Sequence, residues 1–488
     1  MIEAPVSGGH RTLHRPTEAA ASPDDDWPAQ RRRWRRRLLW GVVTALGLSV
    51  PLVVLALVGL PHVFRMPLVR NVIARGATGA LPALDAPTFT SAFALVTATP
   101  LTGGNHVEVL SNGEETYARL WQELRSARRS ITVQMYYIGP GAVADSVGRI
   151  LAERARAGVA VFFLYDAFGA QTLPPQLLDT LRAAVVRVAA FRPIRWYALD
   201  RANHRTHIRG IVIDATVGYT GGFGFDDKWL GDGRRPGEWR ETNVRFEGPA
   251  AAQLQATFVA QWAEPTGELH GGALMLREDA PRESSTATAG TADGATAALV
   301  YSPSLTGGTV AERLFAISIA SARRRLYITN AYFVPHADFV TLLVDAARRG
   351  VDVRVLTNGA RSDVSTTWLA GRSRYETLLS AGVRIYEYEP TTLHAKTFVA
   401  DGLWTAIGTA NFDNRSLAYN TEVALAVRDA TVGATMDRSS SRTCNTPRRY
   451  GSPRFGRGRG GCIYASAPRA SSPICSRVRR TCGQYPST

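Results

Sequence analysis

"LHAKTFVADGLWTAIGTANFDNRS", residues Leu393 to Ser416, sets apolar and reactive side chains alternately along a strand. His394 and Lys396 flank Ala395, so both point to one face, because successive strand residues face opposite ways. Asp401 and then Gly408-Thr409-Ala410-Asn411 follow, bringing an imidazole, an ammonium, a hydroxyl and an amide together. Such a set can hold a phosphate while a nucleophile attacks it. A single His-x-Lys carries little information, since a lone strand histidine is as a rule structural or on the surface. This pattern, however, occurs twice. "THIRGIVIDATVGYTGGFGFDD", Thr206 to Asp227, repeats it with His207, Arg209, Asp214, Gly221 and Gly222 at the same spacing.

Working outward, the flanks repeat too. "SARRSITVQMYYI" (Ser126 to Ile138) matches "SARRRLYITNAYF" (Ser321 to Phe333), and "RAGVAVFFL" (Arg156 to Leu164) matches "RRGVDVRVL" (Arg348 to Leu356). In both copies a helical period ends in glycine and feeds an alternating strand. The expected fold class is therefore α/β with two homologous halves, 105–266 and 298–430, each a mixed, mainly parallel sheet flanked by helices. The aperiodic Ser/Thr/Ala/Gly stretch within 267–297 reads as a linker.

The two ends differ from the body. Residues 1–37 read as a disordered leader closing on the basic run Arg31 to Arg37. An uncharged run of 23 residues follows, Leu38 to Leu60, long enough as a helix to cross a hydrocarbon core of about 30 Å. A transmembrane helix is expected there, since no small-residue cleavage pattern of the kind that ends a signal peptide follows Pro61. Residues 61–104 read as a membrane-proximal connector. The excess of arginine before the span puts the N-terminus in the cytoplasm and the body outside, by the positive-inside rule, in a cell or inner membrane.

Composition fits this division. The 488 residues carry +16, which favours an anionic membrane or another polyanion, but eleven arginines with no Asp or Glu lie from Arg438 onward. Cys444, Cys462, Cys475 and Cys482 all lie in that same stretch, so the body has neither a disulfide nor a Cys-ligated metal. Residues 431–488 read as an atypical tail without helix or strand period. It is the product of a shifted reading frame or else a genuine basic tail for anionic lipid or nucleic acid.

The doubled motif resembles the phospholipase D superfamily and, within it, the bacterial cardiolipin synthase branch. "NHRTH" (Asn203 to His207), "YDAFG" (Tyr165 to Gly169), "WRETNVRFEGPA" (Trp239 to Ala250), "GVRIYEYEPTTLHAKT" (Gly382 to Thr397) and "NFDNRS" (Asn411 to Ser416) carry the branch resemblance. The resemblance implies a two-step displacement at phosphorus, with His207 as nucleophile and His394 as acid and base. Imidazole suits both tasks near neutrality. It further implies that Arg209, Lys396 and Asn411 neutralise the phosphorane, that Thr409 adds a hydroxyl and Gly222 lines the substrate, and that Glu241 and Glu422 orient the histidines. Asp214 and Asp401 are expected to tie down loops. No metal and no cofactor is expected, since side-chain cations do that work.

Two positions depart from the family pattern: Arg209 stands for Lys, and Gly224 for Asn. The first is not a neutral exchange, and the second removes a donor of a kind whose loss costs about 10²- to 10³-fold in rate. The expected function is a phosphatidyltransferase that joins phosphatidylglycerol to a second phospholipid headgroup. The rivals are a phospholipase or nuclease using the same chemistry, with nucleic acid disfavoured by the membrane span, and a weakly active membrane-binding homologue.

Overall fold

The computed structural model describes residues 27–63, 72, 81–196, 202–277, 294–304, 310–444 and 448–449. It divides into two units, Met1–Arg65 and Met66–Thr488. In the first, one helix runs Trp27–Val63, long and apolar enough by length and composition to cross a membrane. The arginine run Arg31 to Arg37, expected as part of the leader, is helical instead. Arginine is a good helix former, and extending an existing helix is far easier than nucleating one. Residues 1–26 of the leader lie outside the described residues.

The second unit is built on strands β1 (Thr102–Ser111), β2 (Ser130–Met135), β3 (Ala160–Asp166), β4 (Arg187–Phe191), β5 (Gly210–Ile213), β6 (Val217–Gly221), β7 (Trp239–Arg240) and β8 (Thr242–Glu247). The second half adds β9 (Ala295–Ser302), β10 (Arg325–Asn330), β11 (Asp352–Asn358), β12 (Arg384–Tyr388), β13 (Thr392–Leu393), β14 (Lys396–Ala400), β15 (Trp404–Gly408), β16 (Glu422–Arg428) and β17 (Arg448–Arg449). Among the described residues one sheet of 15 strands runs β17-β12-β11-β10-β14-β15-β16-β9-β1-β8-β6-β5-β2-β3-β4. Read outward from the β9–β1 contact, both halves show the same order, so the duplication becomes a pseudo-twofold about that antiparallel pair.

Each half is mixed, but the expected preponderance of parallel pairing is corrected. Among the described residues of the 15-stranded sheet, pairing is parallel only along β2-β3-β4 and β10-β11-β12, where helices such as Ala142–Arg156 and Ala337–Arg348 cross over. The motif strands are antiparallel because tight turns join β5 to β6 and β14 to β15, and a tight turn can only reverse the chain. Asp214 and Asp401 sit in these turns in left-handed backbone, at φ of 53° and 54°. Their carboxylates accept the N–H groups of Arg128, Arg129 and Ser130, and of Arg323, Arg324 and Arg325. Each motif turn is thereby fastened to the start of its neighbouring strand.

Three boundaries move. Strand β9 begins at Ala295, inside the expected linker, and Met275 is buried against Phe162, Phe258 and Trp262. The connector is folded from residue 81: Leu84 and the helix Phe89–Thr97 join the second half's core, where Phe89 and Phe93 each lie 5.0 Å from the Trp404 ring. The expected featureless tail starts as a helix, Ala430–Cys444, whose Val432, Met436 and Ser440 are buried at a four-residue spacing. Serine is small enough to continue that face, which hides the period from a reading of apolar residues alone. With Pro249–Thr266 this helix covers the sheet where the halves meet, over a core shared by Val212, Phe246, Leu254, Val399, Leu425 and Met436. Residues 450–488 of the tail lie outside the described residues.

Phe93→Ala is expected to destabilise the body by about 3–5 kcal/mol through the cavity left beside Trp404. A melting temperature equal to that of the unaltered protein would show that residues 81–97 are not part of the second half's core.

Candidate active site

The two histidines arrive on short segments that pair across the halves. Thr206 bridges Thr421, with the His207 N–H donating to Thr421 O at 2.9 Å and the Thr421 N–H to Arg205 O at 2.8 Å. Opposite, β13 pairs in parallel with β7, and the His394 N–H donates to Arg240 O at 2.8 Å. Glu422 follows Thr421, and Glu241 follows Arg240. Each histidine is thus delivered to the carboxylate of the other half: His207 Nδ1 lies 2.9 Å from Glu422 Oε1, and His394 Nδ1 lies 2.7 Å from Glu241 Oε2. Chain order suggests partners within each copy, and the structure crosses them.

Further contacts hold this frame. The segment leading to His207 is anchored by Arg205, whose guanidinium pairs with Asp166 at 2.9 Å, both side chains fully buried. Asp166 also accepts the N–H of Thr206 at 3.0 Å. Thr409 donates its hydroxyl to Glu422. A hydroxyl has one hydrogen, and in this structure it braces the carboxylate behind His207. Gly222 occupies the matching place in the first copy. A Cβ there would lie 2.3 Å from Glu241 Oε2, so glycine leaves room for the carboxylate that holds His394.

All of this is buried, and burial sets the charges. It pushes the His207 imidazole down to about 4, with Glu422 pulling up and Arg209 pushing further down. Burial and the cations Lys396 and Arg209 hold His394 well below the ordinary histidine range. Lys396 falls to about 7, chiefly by burial, against the pull of Glu241. Burial keeps Glu241 above the usual carboxylate range. It pushes Glu422 the same way, but His207 and Thr409 outweigh it and Glu422 lies below that range.

Both imidazoles are therefore neutral at pH 7, each with Nδ1 engaged and Nε2 left for chemistry. Arg209 lies within electrostatic reach of Glu241, Glu422 and His394, yet its buried Nε and Nη1 atoms have no hydrogen-bond partner among the described residues. Nor has the buried Oδ1 of Asn411. A buried guanidinium with open donors calls for an anion.

Sequence reasoning missed the aromatic wall. Tyr136, just past β2, packs edge-on to His207 at 4.7 Å, and Tyr332, just past β10, lies 6.3 Å from His394. Trp229 and Trp239 lie 5.5 and 5.0 Å from His394. Gly224 was the available signal. A Cβ there would lie 2.7 Å from the Trp229 ring, so the space that an Asn side chain would take in the first copy is filled by indole.

The family model described as the cardiolipin synthase, phospholipase D-like domain matches residues 120–262 and 316–442. A cardiolipin synthase of Geobacillus kaustophilus (strain HTA426) is 37% identical over 325 residues, covering 66% of this chain and 63% of the relative's length. Cardiolipin synthase A of Pseudomonas syringae pv. syringae (strain B728a) is 34% identical over 332 residues, covering 68% of this chain and 67% of that protein. The fold is also similar to the phosphatidylserine synthase of Haemophilus influenzae Rd KW20, with a TM-score of 0.56 at 12% identity, over 74% of this chain and 92% of that one.

The depressed histidines make stability depend on pH with a definite sign. Below about pH 6.5 the unfolded chain takes up a proton at His207 that the folded chain refuses until about pH 4. Stability contributed by neutral His207 is thus full above pH 6.5 and is lost as pH falls toward 4, at about 1.4 kcal/mol per pH unit. Thermal melts of His207→Gln across that window should show a shallower acid-side decline than the unaltered protein. Equal slopes would contradict the assignment.

Proposed function

This chain belongs to the family of cardiolipin synthase, phospholipase D-like domains, and from that membership we propose that it is a membrane-anchored phosphatidyltransferase acting on phosphatidylglycerol through a phosphohistidine. The observation that carries the proposal is the pair of crossed His–Glu contacts around the unsatisfied Arg209 guanidinium.

In the first step His207 Nε2 attacks the phosphodiester phosphorus, a P–N bond forms, and the bond from phosphorus to the glycerol headgroup oxygen breaks. His394 gives its proton to the leaving alkoxide. The empty site depresses His394 through Lys396 and Arg209. A bound phosphodiester anion offsets those two cations and so moves His394 toward its protonated form, against the larger effect of burial. In the second step His394 removes the proton from an acceptor hydroxyl, a new P–O bond forms, and the P–N bond breaks.

Arg209, Lys396 and Asn411 stabilise the charge on the five-coordinate phosphorus. Arg209 in place of Lys gives a planar fork suited to two phosphate oxygens. With phosphatidylglycerol as both donor and acceptor, the products are cardiolipin and glycerol. Arg31 to Arg37 at one end of the apolar helix support a cytoplasmic N-terminus and a body on the opposite side of the cell membrane.

Purified protein incubated with phosphatidylglycerol labelled in the acyl chains is expected to yield labelled cardiolipin. Phosphatidic acid alone would indicate a phospholipase, and no turnover a binding homologue. With phosphatidylglycerol labelled at phosphorus instead, His394→Ala should retain label on the protein as an alkali-stable, acid-labile phosphohistidine that His207→Ala lacks, and label persisting in His207→Ala would exclude His207 as nucleophile.

A second expectation concerns Gly222. Gly222→Ala should expel Glu241 from His394 and lower kcat by about 10²- to 10⁴-fold. Combined with Glu241→Gln it should add little further loss, because both changes remove one contact. Fully additive losses would mean that Gly222 acts elsewhere.

A further inference from the structure

Lys228 stands one residue before the buried Trp229 and is itself half-buried. Its ammonium lies 3.5 Å from the Tyr137 ring centre, 4.2 Å from Trp239 and 4.7 Å from Trp229. Three aromatic faces around one cation hold it in place without cancelling its charge. The two neighbouring carboxylates are otherwise engaged. Asp227 accepts the N–H groups of Ala142 and Val143 at 3.0 and 2.9 Å, and Asp226 accepts the Lys228 backbone N–H at 3.0 Å. No ion pair joins Lys228 to either one. The same two indoles that hold the ammonium also touch His394.

Transfer between two phospholipids needs two anion sites. One phosphodiester reacts at Arg209 and Lys396. The acceptor lipid brings a second phosphodiester, separated by the glycerol unit from the hydroxyl that His394 must deprotonate. A preorganised cation beside His394, with no ion pair among the described residues, meets that need. We propose that Lys228, held by Tyr137, Trp229 and Trp239, binds the phosphodiester of the acceptor phospholipid and thereby favours lipid alcohols over water and free alcohols. The inference rests on the phosphatidyltransferase reading above. Lys228 binds and takes no part in bond making: the P–N bond of the phosphohistidine breaks, the P–O bond to the acceptor forms, and the hydroxyl proton passes to His394.

The test compares two acceptors with the full-length enzyme in detergent, phosphatidylglycerol itself and free glycerol, which carries no phosphate. Glycerol transfer is followed as exchange of labelled glycerol into the lipid. Lys228→Gln should lower transfer to phosphatidylglycerol roughly tenfold more than transfer to glycerol, the loss expected for one charge-assisted contact. The KM for acceptor lipid should rise, and phosphatidic acid from competing hydrolysis should increase relative to cardiolipin. Lys228→Arg should restore most of the preference, which separates loss of charge from loss of packing. Equal losses for both acceptors in Lys228→Gln, or a preference not recovered in Lys228→Arg, would overturn the subsite. An unaltered enzyme that produced no cardiolipin would instead overturn the parent reading.

Discussion

Thr206 against Thr421, and Leu393 against Arg240, are the backbone contacts on which the site depends. Each is only a residue or two long, and alone would be marginal. They are held because their flanks are fixed elsewhere, by the buried Arg205–Asp166 pair on one side and by the aspartate-fastened hairpins behind both motif strands. Once formed, they leave little choice about partners. A histidine on one half can meet only the carboxylate that follows its neighbour on the other. Neither half alone contains a complete His–Glu pair, so the chemistry belongs to the duplicated fold rather than to either copy.

Concentrating two histidines, two carboxylates and two cations in a buried space would be unfavourable if each ionised independently. Burial and mutual repulsion resolve this by keeping the imidazoles neutral and bringing Lys396 to about 7. Arg209 cannot give up its charge under such conditions and is left with open donors. Its open donors, among the described residues, are what an anion would satisfy.

The duplication was legible because it repeats at the level of residues: His207 with His394, Asp214 with Asp401, and Gly-ended helices feeding strands. The motif roles of Glu241 and Glu422 came through resemblance, but their crossing did not, since strand order cannot be read from a single chain when both orders satisfy the same alternation. The excess of antiparallel pairing was missed for a related reason: buried strands are apolar on both faces whichever way their neighbours run. Trp229 escaped notice because the signal for it was an absence at Gly224. Ser440 hid the last helix by being small rather than apolar.

The connector carries an implication for synthesis. Leu84, Phe89 and Phe93 belong to a core completed by Trp404, and Arg428 closes over the segment by donating to the Leu84 carbonyl at 2.8 Å. Roughly 300 residues separate these partners, which at about 5–20 residues per second means some fifteen seconds to a minute between the emergence of one and of the other. During that interval the nascent chain presents two phenylalanines whose core is incomplete. The first half can close around its own sheet meanwhile, but the segment Leu84 to Phe93 remains open to chaperones or proteases until Trp404 has emerged.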